Sequence, residues 1–254
     1  MRKLIPNLMT AGALAAGLAS LHFAQDGQFA KAVGCVAVAF VLDGLDGRTA
    51  RFLKVTSRFG EKFDSIADFT AFGVAPAFLI YQWQLKSTMG ATGLAIAVLY
   101  ILCAAFRLAR FTYQARKQKL GAPVSKFFQG LPAPASGAAV LIPVMLELSE
   151  TVNWRSPYWL TAGYAVMLAL FMASTLPMIS IKGLRISRSL AKPLMVVAGL
   201  ITFGLIMDWL LTLSALTGIY LLTFPIGVVL FQRQQAKLAA EAAAGGAGGA
   251  APKS

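Results

Sequence analysis

Residues 43–68 read DGLDGRTARFLKVTSRFGEKFDSIAD, and they join the end of one apolar run to the start of the next. Asp43 and Asp46 are three residues apart, and Asp64 and Asp68 are four apart. On helices, either spacing puts both carboxylates on one face. The link from Arg51 to Gly60 is short enough to make the two helices antiparallel neighbours. The spacing therefore predicts four carboxylates converging in one pocket, about one to three helical turns below the cytoplasmic surface, with Glu61 at its flank. Gly44, Gly47, Ala50 and Gly60 leave room for backbone or ligand to approach.

Of the 254 residues, 57% are hydrophobic and 13% charged, with a mean hydropathy of +0.68. Soluble domains carry about 25% charged residues, so a soluble globular domain and a disordered chain are both excluded. Eight apolar runs are read at roughly 4–23, 30–52, 60–84, 89–113, 132–149, 157–174, 193–211 and 213–232. Each is near the length of about 20 residues that crosses a bilayer as a helix. The expected fold is all-α, a polytopic membrane helical bundle of about eight transmembrane helices. Residues 1–235 form a single integral membrane domain, and 236–254 an Ala/Gly-rich flexible tail.

Lys and Arg number 23 against 10 Asp and Glu, a formal charge of +13. In a soluble chain that excess would suggest nucleic acid. In a membrane protein it follows from the enrichment of cytoplasmic loops in Lys and Arg. A cytoplasmic N-terminus puts 20 of the 23 basic residues on the cytoplasmic side and leaves Lys31, Lys86 and Arg155 outside. The asymmetry predicts both termini in the cytoplasm and requires no nucleic-acid partner. Cys35 and Cys103 lie inside apolar runs and form neither a disulfide framework nor a metal-ligand spacing.

Four carboxylates in a low-dielectric pocket cannot all stay ionised without compensation, and ionisable groups within a membrane are usually functional. Divalent cations with oxygen ligands are the natural compensation, and two of them shared by four Asp suit phosphoryl chemistry. Two competing readings are salt bridges to Arg48, Arg51 or Arg58, and a cation-transport site. A transporter needs a polar path through both faces, whereas these carboxylates crowd on one.

The pattern Asp43-x-x-Asp46-Gly47-x-x-Ala50-Arg51, eight residues, then Gly60-x3-Asp64-x3-Asp68 resembles the signature of the CDP-alcohol phosphotransferase family at every fixed position. The resemblance implies an enzyme that binds a CDP-linked lipid and two divalent cations, Mg²⁺ or Mn²⁺. An acceptor hydroxyl attacks the lipid-side phosphorus and CMP leaves. It implies that Asp43, Asp46, Asp64 and Asp68 are metal ligands and that Asp68 is the base for the acceptor hydroxyl. Asp46, Gly47, Ala50, Arg51 and Gly60 would line the cytidine diphosphate site. Pro6-Asn7-x-x-Thr10 is similar to an element that opens the family's first helix, so Asn7 and Thr10 are expected at the nucleotide or as a helix cap.

Arg107-Leu-Ala-Arg110-Phe111-Thr112 and Phe128-Gln-Gly130-Leu131-Pro132-Ala-Pro134 resemble elements of the phosphatidylserine synthase branch, although Thr112 stands where that branch has Asn. Pro177-Met-Ile-Ser180 followed by Arg185 resembles it more loosely. The implied substrates are CDP-diacylglycerol and L-serine, with Arg107, Arg110, Lys126 and Arg185 as candidates for binding the acceptor or the lipid phosphate. Choline, glycerol 3-phosphate or an inositol compound are the alternative acceptors. The resemblance also implies a homodimer among membrane lipids, in a bacterial inner membrane, with its site facing the cytoplasm.

Overall fold

The computed structural model describes residues 4–53, 58–119, 128–129, 131–152, 154–174, 177–178 and 191–223. Lys126, Arg185 and the tail from 236 lie outside them, as do the side chains of Ala50 and Arg51. The helices are α1 (Leu4–Gln25), α2 (Phe29–Phe52), α3 (Arg58–Asp68), α4 (Ala75–Ile80), α5 (Lys86–Met89), α6 (Ala91–Lys119), α7 (Ala133–Val140), α8 (Ile142–Leu148), α9 (Tyr158–Ala173) and α10 (Ala191–Met207). A further helix, α11, spans Trp209–Thr223. Two residue pairs, β1 (Phe128–Gln129) and β2 (Pro177–Met178), bridge antiparallel. Every apolar run read in the sequence is helical in its described part.

Among the described residues, three helices are long and apolar enough to cross a membrane: Ile5–Gln25, Phe59–Met89 and Ala91–Gln114. Helix α2 has the length, but it carries Lys31, Asp43, Asp46, Arg48 and Arg51. All of these charges but Lys31 fall within the 43–51 motif.

Helices α1 and α2 form an antiparallel hairpin. It is closed by hydrogen bonds from Gln28 N to Phe23 O (2.8 Å) and from Gly27 N to Ala24 O (3.3 Å), the paired pattern that satisfies the last carbonyls of a helix. Helices α3 to α5 run on as one rod, Phe59–Met89, interrupted by π-helical turns at Phe69–Val74 and Tyr81–Leu85. The first π turn begins directly after Asp68, and such turns are frequent beside functional sites. Its backbone is gripped from two sides. A Cβ at Gly17 of α1 would stand 2.9 Å from Ala71 Cα, and one at Gly137 of α7 would stand 3.0 Å from Phe72 Cα. A side chain at Gly17 would force a shift and one at Gly137 would crowd Phe72, so both helices lie close against the rod that carries Asp64 and Asp68.

The 132–149 run breaks at Leu141 because Pro143 has no N–H to offer the carbonyl of Ala139. The Tyr164 hydroxyl of α9 donates to that carbonyl instead, at 3.0 Å. The last two runs divide at Asp208, a few residues earlier than apolarity alone predicts. Asp208 caps α11: Leu211 N donates to its Oδ1 at 2.9 Å, the bond of an N-cap side chain to the third helical residue.

Candidate active site

The spacing predicts four carboxylates in one pocket; the structure groups three of them, from α2 and α3. Asp43, Asp64 and Asp68 each offer a carboxylate oxygen, and these oxygens lie within 4.8 Å of one another. Asp43 and Asp68 are within hydrogen-bonding reach. Two carboxylates that close need a proton or a cation between them. All three are partly buried. Oxygens bound to one hard divalent cation at about 2.0–2.6 Å lie at most roughly 4–5 Å apart. The trio therefore fits one cation in its present arrangement, and its all-oxygen donor set suits Mg²⁺ or Mn²⁺. Among the described residues none of the four Asp forms an ion pair, so the salt-bridge reading finds no support at Arg48; the side chains of Arg51 and Arg58 are outside the described residues.

Asp46 falls outside the 4.8 Å group but lies close enough to repel Asp43 and Asp64. It is 5% exposed, and its Oδ2 accepts a hydrogen bond from Thr10 Oγ1 at 2.6 Å. The same hydroxyl lies 3.0 Å from Pro6 O, its own helix's carbonyl one turn back. One proton serves one acceptor at a time, so the Thr10 link to Asp46 competes with a local helix bond. Thr10 of the Pro6-Asn7-x-x-Thr10 element is thus brought against the carboxylate motif, inside α1 rather than at its cap. Gly44 and Gly47 face open space on α2. Gly60 is partly buried on α3, and Glu61 is exposed there.

Of the basic candidates among the described residues, Arg107 is the one beside Asp68. It is 8% exposed on α6, interacts electrostatically with Asp68, Tyr100 and Tyr220, and its Nε has no hydrogen-bond partner among the described residues. Arg110, one turn on, donates to Ala173 O at 3.1 Å and Ser174 O at 2.7 Å. It thereby satisfies carbonyls at the C-terminal end of α9. The bridge pairs Phe128 with Met178 and Gln129 with Pro177. Two of the loop elements singled out in the sequence therefore lie side by side.

Sequence reasoning missed an apolar groove of about 540 Å³ whose lining includes Asp43 and Gly44. Its walls are α2 (Val36, Phe40), α7 and α8 (Ala138, Met145) and α11 (Leu213, Tyr220). No local signal announces it, because it depends on which distant helices pack together. Tyr220 belongs both to this groove and to the surroundings of Arg107.

The family model described as CDP-alcohol phosphatidyltransferase matches residues 3–172. A CDP-diacylglycerol–serine O-phosphatidyltransferase of Mycobacterium leprae is 37% identical over 176 residues, 69% of this chain and 58% of that protein. The chain thus matches less than two thirds of that relative's length. One of Helicobacter pylori is 37% identical over 173 residues, 68% of this chain and 70% of that protein. The crystal structure of Mycobacterium tuberculosis phosphatidylinositol phosphate synthase in complex with manganese and citrate aligns with a TM-score of 0.49 at 19% identity, over 69% of this chain and 78% of that one.

Proposed function

The chain belongs to the CDP-alcohol phosphatidyltransferase family, and from that premise we propose that it transfers the phosphatidyl group of CDP-diacylglycerol to the hydroxyl of L-serine, releasing CMP. The observation that carries the reading is the Asp43, Asp64 and Asp68 trio. Serine as acceptor is supported by the names of the relatives and by the Arg107 element.

In the proposed reaction the serine oxygen bonds to the lipid-side phosphorus, the bond from that phosphorus to the CMP oxygen breaks, and the hydroxyl proton passes to Asp68. Two divalent cations, Mg²⁺ or Mn²⁺, held by Asp43, Asp64 and Asp68 with Asp46 completing the set, would neutralise the diphosphate when bound. Asn7, Thr10, Gly47, Ala50, Arg51 and Gly60 receive the cytidine diphosphate, and the open faces of Gly44 and Gly47 leave space for it. Arg107 offers its unpaired Nε and its charge to the serine carboxylate. Arg110 steadies the adjoining end of α9, and Lys126 and Arg185 belong to the same acceptor region. The apolar groove takes an acyl chain of the lipid, since it runs from Asp43 along α2 into the bundle.

The protein is an integral membrane protein by its apolar helices and its family. The same reading gives it eight spans in one catalytic domain over 1–235, with the tail 236–254 outside it. Both termini and the site face the cytoplasm, on the strength of the 20-to-3 division of basic residues, and the bacterial inner membrane rests on family membership. A homodimer rests on family membership.

Metal removal tests the reading. EDTA-stripped protein given CDP-diacylglycerol and L-serine is expected to release no CMP, to regain release when Mg²⁺ or Mn²⁺ is returned, and to stay inactive as Asp64→Asn. Undiminished release in EDTA would refute it.

A further inference from the structure

The groove has a second end, away from the carboxylates. Val33, which lines it, precedes Asp43 by ten residues, about 15 Å along α2 at 1.5 Å per residue. Three walls are tied together at that end. Asp208, 9% exposed, accepts at Oδ2 from Ser149 Oγ (2.5 Å), Thr151 Oγ1 (2.6 Å) and Thr151 N (3.4 Å). It also caps α11 through Leu211 N. Ser149 and Thr151 directly follow α8, so one carboxylate joins the α11 wall to the α8 wall. Trp209, the next residue, lies across Gly34 of α2, with its ring 3.6 Å from where a Cβ would stand. That contact joins α11 to the α2 wall.

Asp208 is polar, buried and remote from the carboxylate trio, and the proposed chemistry makes no use of it. We propose that this clasp fixes the separation of the groove walls at their far end, making Asp208 a positioning residue that sets how long an acyl chain the enzyme prefers. The inference rests on the reading above that the groove holds a lipid chain. Loosening the clasp lets the walls part where the last methylenes of a long chain lie, while a short chain never reaches them.

The experiment measures kcat/KM of the full chain for dioleoyl and dioctanoyl CDP-diacylglycerol, with L-serine as acceptor. Asp208→Ala is expected to lower the long-to-short ratio about tenfold, the equivalent of two methylene contacts, while the KM for serine stays put. Asp208→Asn keeps one acceptor oxygen, enough for the α11 cap but not for the three bonds accepted at Oδ2, and is expected to lower the ratio part of the way. Should Asp208→Ala not fold, Thr151→Ala removes one hydroxyl donor and is expected to shift the ratio the same way, less far. An unchanged ratio in whichever of these folds overturns the inference. Ala138→Phe fills the groove and serves as the control. If it blocks long-chain turnover while the clasp variants keep the parent's ratio, the clasp idea alone falls. If it leaves long-chain turnover intact, the lipid reading of the groove falls and takes the clasp with it.

Discussion

Asp68→Asn is expected to reduce CMP release by at least about a thousandfold while leaving the protein folded. General-base catalysis alone contributes about 10²–10⁴ in rate, and an amide of the same shape cannot take a proton from the acceptor. The same substitution removes one of three carboxylate oxygens placed within 4.8 Å of each other, so cation affinity falls too. In the metal-free protein the change relieves repulsion among crowded carboxylates. Thermal stability without divalent ions is therefore expected to hold or rise, as when a strained functional group is removed. Activity within tenfold of the parent would show that Asp68 is not the base.

Arg107→Ala is expected to raise the KM for serine about 10- to 100-fold, with a smaller effect on kcat. Arg107 is a buried cation whose Nε lacks a partner among the described residues, beside Asp68, where the proposed reaction brings the acceptor hydroxyl. A hydrogen bond to a charged group contributes about 1.5–3 kcal/mol, and 1.4 kcal/mol is tenfold in affinity. Arg107→Lys keeps the charge without the planar fork and is expected to fall between parent and alanine. Arg110→Ala should act on stability more than on serine, because both of its bonds go to α9 carbonyls. An unchanged serine KM in Arg107→Ala, with a raised KM for CDP-diacylglycerol, would reassign Arg107 to the lipid phosphate.

The carboxylate centre was legible in the sequence because helix geometry converts intervals of three and four residues into a shared face. The short link between α2 and α3 then leaves few ways to arrange the two faces. What periodicity cannot encode is the partner an individual side chain finds on another helix. Asp46 reads like its three companions in sequence, yet it turns to Thr10 of α1. The π turn after Asp68 inserts extra backbone that no hydropathy pattern reveals. It packs closely against Gly17 and Gly137, residues far off in the chain. The groove is hidden for the same reason, since α2, α8 and α11 are distant in sequence. The division at Asp208 could have been found locally: an Asp three residues before Leu211 is an ordinary cap signal that a continuous apolar run obscured.

The most direct test of the central claim follows both products at once. The purified full chain in detergent receives CDP-diacylglycerol, Mg²⁺ or Mn²⁺, and one acceptor at a time: L-serine, choline, glycerol 3-phosphate or an inositol compound. The account predicts CMP and a serine-containing phospholipid in equal amounts with L-serine, and neither with the other acceptors. Equal amounts of CMP and lipid product with one of the other acceptors, and none with serine, would contradict it.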